Sequence, residues 1–343
     1  MSARAYVHIG PPKTGSTYLQ SILWRNRDAL HGQGLKYSAA HDNEHFLAAY
    51  DVQGGEFVHG EMPEAAGAWE RVAARVRGHA GRSLISHELL ALSRPEHIRR
   101  IVASLQPVPV DVIIMGRCLA DVLPSIYQEK VKQRDPEVSW PDFLRDARRP
   151  DGMWGYRLGS LVRRWLEILP PNRIHVVTVP PAEAPRRCLL ERFSRVVGID
   201  AAALDVRGAD ANDSLDIAGV VSLQQVVRRT RASLSWHEHR DLMSSLLPVL
   251  RAANLPGSSR LVMPASSRSW MGQEATEGLL AVEESGCPVY GDPADLLPRP
   301  ACFGSDDSGL EAPSIDAAAA AAADALLAAA AGVEPRTVRR LEP

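Results

Sequence analysis

The sequence predicts an α/β fold in which a parallel sheet carries helices on both faces. Four short apolar runs recur along the chain, and most are continuous and β-branched, as expected of strands buried on both faces. They are AYVHI (5–9), SLIS (83–86), VDVIIM (110–115) and IHVVTV (174–179). Between them lie stretches whose apolar residues recur every three or four positions, such as TYLQSILWRN and GSLVRRWLEIL. Strands that alternate with helices in this way indicate an α/β sheet.

The later part of the chain is predicted to be mainly helical. The segment 200–263 has a helical pattern, and NDS (212–214) is a plausible N-cap before LDIAGVVSLQQVV. Near residue 300 a loop-like stretch leads into IDAAAAAAADALLAAAAGVEP, which predicts an alanine-rich helix. We therefore expect one α/β domain over residues 1–300 and a helical C-terminal extension over residues 301–343.

The composition is that of an ordinary soluble protein, with 45% hydrophobic and 23% charged residues. A net charge of −2 gives no reason to expect nucleic acid or an anionic membrane as partner. The sequence contains neither an apolar run long enough for a transmembrane segment nor a signal-peptide core at its start. Its four cysteines form no CxxC pair, so the spacing predicts neither a disulfide framework nor a zinc site. We expect a cytoplasmic protein without a metal ligand set.

The stretch VHIGPPKTGSTYL (7–19) connects the first predicted strand to the first predicted helix. It has the glycine spacing of a phosphate-binding loop of the Walker A type, GxxxxGK[ST]. However, Ser16 occupies the position of the Walker lysine, and Lys13 stands three residues earlier. The position of Lys13 leaves open which phosphate chemistry the loop serves.

The residue types in this loop suit an anion. Gly10 and Gly15 permit a tight turn, and a helix that begins near Ser16 offers unpaired backbone N–H groups and its dipole. The hydroxyls of Thr14, Ser16 and Thr17 add hydrogen-bond donors. The loop therefore predicts an anion-binding site.

Within this loop, PPKTGSTYLQ (11–20) resembles the 5′-phosphosulfate loop of sulfotransferases that use 3′-phosphoadenosine 5′-phosphosulfate (PAPS), commonly PKTGTTWLQ or PKSGTTxL. The resemblance implies a P-loop-NTPase-like sheet, metal-independent transfer from PAPS, and 3′-phosphoadenosine 5′-phosphate (PAP) as product. It implies that Lys13 contacts the phosphosulfate and assists the leaving group. The residues that it assigns to donor binding in this loop are Pro12, Lys13, Thr14, Gly15, Ser16 and Thr17.

A second segment, VDVIIMGRCLADVLPSIYQEKVKQ (110–133), resembles the 3′-phosphate motif of the same family. That motif has an arginine at a strand end and a serine eight residues later on the following helix. Arg117 and Ser125 match the two positions. A guanidinium fork and a hydroxyl are suitable donors for a phosphate. Cys118 departs from the acidic or asparagine residue often found there, which affects the expected local hydrogen bonding.

The resemblance extends with less specificity to about residue 300. WGYRLGSLVRRWLEILPPNRIHVVTVPP (154–181), NDSL (212–215) and GCPVYGDPADLLP (286–298) are similar to segments of bacterial members, and they indicate the actinobacterial-type branch. Only the first two segments carry specific motifs.

Sulfuryl transfer also needs a base for the proton of the acceptor. Ser86-His87-Glu88 follows the run SLI, so it should lie at the carboxyl end of a strand, where α/β sheets bind ligands. The pair Ser86-His87 resembles the Thr-His pair of cytosolic family members, and other branches use a glutamate. We expect His87 or Glu88 to be the base, and the sequence does not separate them. HDNEH (41–45) is a further possibility, although a polar loop is the simpler interpretation.

These features predict a PAPS-dependent sulfotransferase that acts on a hydroxyl or amine of a small-molecule, glycolipid or natural-product acceptor. Two alternatives stay open at this point: a P-loop nucleotide kinase or NTPase, and a catalytically inactive PAPS- or nucleotide-binding scaffold. Ser16 in the Walker lysine position weakens the kinase alternative. The sequence identifies neither the acceptor nor the oligomeric state.

Overall fold

The computed structural model describes residues 3–56, 62–133, 135–208, 214–252, 259–306 and Leu310. The strands are, in chain order, β1 (Arg4–His8), β2 (Leu35–Tyr37), β3 (Arg82–Ser86), β4 (Val110–Gly116), β5 (Ile174–Thr178), β6 (Met263–Pro264), β7 (Val289–Tyr290) and β8 (Phe303–Gly304). The helices are α1 (Ser16–Arg25), α2 (Arg27–Gly32), α3 (Glu44–Val52), α4 (Ala68–Arg77), α5 (Pro95–Ser104), α6 (Leu119–Lys132), α7 (Trp140–Arg148), α8 (Leu158–Leu166), α9 (Arg187–Val197), α10 (Ile217–Thr230), α11 (Trp236–Ala252) and α12 (Arg268–Ser285). In these residues, no helix has both the length and the apolar composition needed to cross a bilayer.

Six strands form the central sheet in the order β2-β3-β1-β4-β5-β7, and its pairings are parallel. Strand β1 is central: Ala5 pairs with Ser83 of β3 on one side and with Val110 of β4 on the other. After β1 the chain goes to β2 and returns to β3, and it then crosses to β4 and β5 on the opposite side. The carboxyl ends of β1 and β4 therefore flank a topological switch point, which is where open α/β sheets bind ligands.

Helices cover both faces of this sheet. On one face, Ala5 and Val7 of β1 belong to a buried apolar cluster with side chains of α3, α4, α5, α8 and α12. On the other face, Tyr6 packs in a second cluster with side chains of α1, α2 and α9. Because side chains alternate along a strand, both clusters draw on the same strands. This confirms the predicted α/β class with a parallel sheet and helices on both faces.

The four apolar runs are all strands, and their predicted ends are within one residue of the observed ones. The sequence did not indicate β2 and β7, which have three and two residues. Strands of this length are too short to show an alternation of apolar and polar residues.

The predicted N-cap of the later helical segment is wrong. Helix α10 is capped by Asp216, whose Oδ1 accepts a hydrogen bond of 2.7 Å from the N–H of Gly219. Ser214 precedes the helix, and the rest of the NDS motif lies outside the described residues. The alanine-rich helix predicted near the C-terminus also lies outside them.

The chain divides into two compact units. The first comprises Met1–Leu123, Ala147–Asn212 and Ala265–Phe303, and it contains the six-stranded sheet. The second comprises Pro124–Asp146, Asp213–Pro264 and Gly304–Pro343. Helix α6 starts in the first unit and continues into the second after Leu123.

The second unit has a mixed apolar and polar interior. The ring of Tyr127 lies edge-to-face against Trp140, with 5.1 Å between the ring centroids, and its hydroxyl accepts a hydrogen bond of 2.9 Å from Gln224. The side chain of Gln128 pairs with both backbone groups of Leu215, at 3.2 and 3.0 Å. These contacts satisfy the buried side chains of Gln128 on α6 and Gln224 on α10.

In the first unit, the amino ends of the strands meet at a buried carboxylate. Asp111 on β4 is fully buried. It accepts from Arg4 at 3.1 Å and from Arg173 at 2.7 Å, and its Oδ1 lies 2.9 Å from Nε2 of His175. A buried carboxylate is tolerated only when its oxygens are satisfied in this way.

Replacement of Asp111 by Asn should destabilise the protein strongly. The change removes the negative charge that Arg4 and Arg173 face, and loss of one member of a buried ionic cluster costs about 3 kcal/mol or more. Urea unfolding of Asp111→Asn against the unmodified protein measures this loss. Asp151→Asn is the matched control, since that side chain is 77% exposed. Equal stability of the two variants would contradict the assignment.

Candidate active site

The loop between β1 and α1 has an unusual backbone. Gly10 and Gly15 have φ angles of 76° and 88°, and Lys13 has a φ of 68°, which is rare for a residue with a Cβ. A Cβ on Gly10 would lie 2.8 Å from the Cβ and 3.0 Å from the Cα of Glu88. The loop therefore needs glycine at position 10, both for its conformation and for its contact with the end of β3.

Helix α1 begins directly after this loop. Gly15 is its N-cap, and the N–H of Leu19 donates to the carbonyl of Gly15 at 3.1 Å. The N–H groups before Leu19 have no acceptor within the helix. The first turn carries no acidic side chain that would compete with an anion. This end of α1 has the electrostatics of an anion site.

The predicted hydroxyl donors differ in their surroundings. Thr14 is buried, and its hydroxyl donates to the carbonyl of Pro11 at 2.5 Å, so in this conformation its proton stabilises the loop. Ser16 is buried at the helix start, whereas Thr17 is exposed. Pro12 and Lys13 are partly buried.

Arg117 follows β4 and reaches the loop that follows β1. Its Nη1 donates a hydrogen bond of 2.5 Å to the backbone carbonyl of Lys13. The two residues are thus brought together at the switch point of the sheet. The two specific motifs that the sequence predicted therefore meet in the first unit.

Ser125 is partly buried on α6, eight residues after Arg117. It belongs to the second unit. That Ser125 and Arg117 bind the same phosphate group remains a prediction from the sequence.

His87 and Glu88 follow β3, as predicted. Because β3 and β4 lie on opposite sides of β1, these two residues and Arg117 lie on opposite sides of the loop after β1. The N–H of His87 donates to the carbonyl of His8 on β1 at 3.0 Å. Glu88 accepts a hydrogen bond of 2.9 Å from the amide of Gln20 on α1. Together with the contact between Glu88 and Gly10, these bonds hold the His-Glu pair against the loop.

The two candidate bases are both deprotonated at neutral pH, but they differ in charge. Burial lowers the pKa of His87, so its ring is neutral at pH 7. Burial raises the pKa of Glu88, whereas hydrogen bonds from Gln20 and from the backbone lower it, and the net shift is downward. The carboxyl group of Glu88 is therefore ionised at neutral pH, and it can accept a proton.

The neutral ring of His87 is in a defined tautomer. Its Nδ1 lies 3.2 Å from the backbone nitrogen of Leu89, where it accepts the N-cap hydrogen bond of the short 3-10 helix Glu88–Leu92. A backbone N–H can only donate, so Nδ1 is the acceptor and the proton is on Nε2. The other ring nitrogen of His87, Nε2, is therefore a donor in this state.

Two further histidines, which the sequence did not place at the site, are buried around Ser86. Nδ1 of His8 lies 2.8 Å from the hydroxyl of Ser86, and Nδ1 of His45 accepts from the N–H of Ser86 at 3.3 Å. Burial lowers the pKa of His8 to about 4 and that of His45 to about 3. Within the described part of the chain, Nε2 of each has no hydrogen-bond partner. Burial also raises the pKa of Tyr37, whose ring lies 4.6 Å from that of His45.

The interpretation of residues 41–45 as a polar loop is therefore wrong in part. His45 and Glu44 are buried in the first turn of α3. Glu44 accepts from the N–H of Ala40 at 2.5 Å and pairs with Arg75 at 2.5 Å. Since its carboxylate is satisfied by these partners, Glu44 supports the local fold. His41, Asp42 and Asn43 are exposed.

A cleft opens beside Arg117 in the first unit. Its lining includes Tyr156, Arg157, Leu158, Glu274 and Leu296. Arg157 pairs with Glu274 at 3.0 Å and donates to two backbone carbonyls, so its charge is already balanced. The cleft offers mixed polar and apolar walls next to the switch point.

In comparisons with family models, with curated proteins and with solved structures, the chain matches none of them.

The buried histidines should make stability depend on pH. Unfolded histidine has a pKa near 6.5, whereas His45 is held near 3, so the unfolded chain binds more protons between these values. The free energy of unfolding should therefore fall as pH is lowered through this window. In His45→Gln, we expect the slope to be smaller by about one proton, or about 1.4 kcal/mol per pH unit. Urea unfolding at several pH values measures it.

His41→Gln is the control for this experiment, because His41 is exposed and its replacement should leave the slope unchanged. A His45→Gln variant whose stability falls with acid as steeply as that of the unmodified protein would show that His45 does not stay neutral in the fold.

Proposed function

We propose that the protein is a sulfotransferase that moves the sulfuryl group of PAPS to a hydroxyl or amine of a small-molecule, glycolipid or natural-product acceptor. The sheet order would then be that of a P-loop-like fold, with the 5′-phosphosulfate on the loop of residues 12–17. Arg117 would bind the 3′-phosphate, with Ser125 as its predicted partner.

One observation carries the proposal: the hydrogen bond of 2.5 Å from Arg117 to the carbonyl of Lys13. It joins the two sequence motifs at the switch point of the sheet. An anion held there would meet the start of α1, the side chain of Lys13 and a guanidinium. A nucleotide with phosphate groups at both ends of its ribose matches this spread of positive charge.

The surroundings of the two candidate bases favour Glu88. Its carboxylate is ionised, lies against the loop and is oriented by Gln20. Neutral His87 carries its proton on the nitrogen that does not contact Leu89, so it can donate but not accept there. We propose that Glu88 takes the proton of the acceptor, and that His87 positions Glu88.

In this mechanism the acceptor oxygen or nitrogen attacks sulfur while the bond from sulfur to the bridging phosphate oxygen breaks. The acceptor proton goes to Glu88, and Lys13 stabilises the negative charge that develops on the departing phosphate oxygen. Catalysis would then depend mainly on orientation and on preorganised charge.

A P-loop nucleotide kinase is the second candidate, and Glu88 is the observation that favours it. An ionised carboxylate at the end of the strand beside β1 could orient the water ligands of Mg²⁺. The displaced lysine of the loop argues against it, since kinases place a lysine on the β- and γ-phosphates.

The first test of the function is the choice of nucleotide. PAP should raise the melting temperature far more than 5′-AMP, because binding to the native state stabilises it and a 3′-phosphate adds contacts with Arg117. Thermal-shift titrations of the purified protein measure the preference. In Arg117→Ala we expect PAP to lose its advantage over AMP, whereas Arg149→Ala, at an arginine whose side chain is 64% exposed, should keep it.

Equal shifts for PAP and AMP in the unmodified protein would remove the 3′-phosphate assignment. A shift that appears with ATP and requires Mg²⁺ would favour the kinase.

The second test separates the catalytic roles, with an acceptor first found by screening hydroxyl and amine compounds with labelled PAPS. Glu88→Gln should lower kcat by about 10²-fold or more, the usual scale for loss of a general base. Lys13→Ala should also lower kcat strongly, since its charge acts mostly in the transition state. Both Glu88→Gln and His87→Asn should leave PAP affinity nearly unchanged.

His87→Asn is the matched variant because asparagine can still cap the short helix at Leu89 but cannot act as a base. We expect it to retain most of kcat. A large loss in His87→Asn together with a near-normal Glu88→Gln would reverse the assignment.

A further inference from the structure

The first unit contains a cluster of metal-ligating side chains apart from the loop and the His-Glu pair. It is formed by Cys118, which follows Arg117, by Asp121 in the first turn of α6, and by Cys302 after β7. One ligand atom of each lies within 4.8 Å of those of the other two. Both cysteines are buried and are not in a disulfide.

The spacing of these atoms suits one metal ion. Sγ of Cys302 lies 3.5 Å from Oδ1 of Asp121. A tetrahedral zinc ion with bonds of about 2.3 Å to sulfur and about 2.0 Å to oxygen would separate those ligand atoms by about 3.5 Å. The edge between Cys302 and Asp121 thus has the length expected in a tetrahedral site, and Sγ of Cys118 lies within 4.8 Å of both atoms.

The carboxylate is held in the orientation that such a site needs. Arg299 donates to Oδ2 of Asp121 at 3.0 Å and to Glu183 at 2.5 Å. Oδ1 is the oxygen that faces Cys302. Partners of this kind fix the orientation of metal ligands and strengthen binding. The short 3-10 helix Pro300–Cys302 directly follows Arg299 and ends at the thiol of Cys302. The same segment therefore supplies the Cys302 ligand and the guanidinium that orients the Asp121 ligand.

The cluster also carries the excess negative charge that favours a cation. Two thiolates, the carboxylates of Asp121 and Glu183 and the guanidinium of Arg299 sum to −3, and one divalent ion reduces this to −1. Without a cation, two thiolates and a carboxylate repel one another, so a free thiolate pair is disfavoured. Thiolate ligands select thiophilic ions of the zinc class rather than Mg²⁺ or Ca²⁺.

We propose that Cys118, Asp121 and Cys302 bind one thiophilic divalent cation of the zinc class, with solvent at the fourth position. Its uptake releases the two thiol protons and forms two metal–sulfur bonds and one metal–oxygen bond. The ion ties the segment after β7 to the connection between β4 and α6, next to Arg117. This proposal does not rest on the sulfotransferase proposal, in which the ion takes no part in the transfer.

The test uses the full-length protein without an affinity tag, reduced and stripped of metal with a chelator, and titrated with Co²⁺. We expect one equivalent to bind with thiolate-to-cobalt charge-transfer absorption, to release protons, and to be displaced by Zn²⁺. Cys118→Ser and Cys302→Ser should each abolish the charge-transfer band or weaken binding at least tenfold, and Asp121→Asn should weaken binding. Cys188→Ser and Cys287→Ser are the matched controls and should retain the full spectrum.

X-ray absorption of the zinc-loaded unmodified protein tests the same site without any variant. We expect two sulfur neighbours at about 2.3 Å together with oxygen or nitrogen neighbours. The proposal is overturned if the unmodified protein binds no stoichiometric cobalt, which would leave the cluster as an ion pair with two thiols. It is also overturned if the spectrum survives in Cys118→Ser and Cys302→Ser, or if the two thiols form a disulfide in the presence of zinc as readily as without it.

Discussion

The pairing of β1 with β3 on one side and with β4 on the other is the constraint on which the candidate site depends. Parallel register brings the carboxyl ends of the three strands to one edge, so the groups that follow them lie together: the loop after β1, His87 and Glu88 after β3, and Arg117 after β4. A slip of one residue would turn the side chains of a strand to the opposite face. The same ladder therefore determines both the two apolar clusters and the positions of the candidate groups that follow these three strands.

Polar groups withdrawn from water dominate this edge. Ser86 lies between His8 and His45, and burial keeps both rings neutral. A buried ring nitrogen without a hydrogen-bond partner lowers the stability of the fold. Among the described residues, Nε2 of His8 and Nε2 of His45 have no such partner. Proteins retain costly polar groups of this kind where function needs a defined proton arrangement. The tautomer of His87 and the ionised state of Glu88 are the part of that arrangement on which the proposed chemistry depends.

Arg117 is positioned by two contacts from distant parts of the chain. Its guanidinium binds the carbonyl of Lys13, 104 residues earlier. The next residue, Cys118, belongs to the cluster with Asp121 and Cys302. One contact orients the side chain toward the anion loop, and the other holds the backbone that carries it. The phosphate-binding role that we propose for Arg117 thus relies on contacts with distant parts of the first unit.

The sequence by itself determined four strands of the sheet (β1, β3, β4 and β5), the glycine loop and the start of α1, since β-branched runs, glycines and helical periods act over a few neighbouring residues. It also placed His87, Glu88 and Arg117 at strand ends. Only the tertiary structure decided that His8 and His45 contact Ser86, and that Asp121 lies against Cys302, 181 residues later. The physical reason is that such contacts are set by strand order and by helix packing, which a local pattern does not contain. The sequence did not predict β2 and β7 for the same reason. These segments are too short to show a strand pattern, and they become strands by pairing with β3 and β5, respectively.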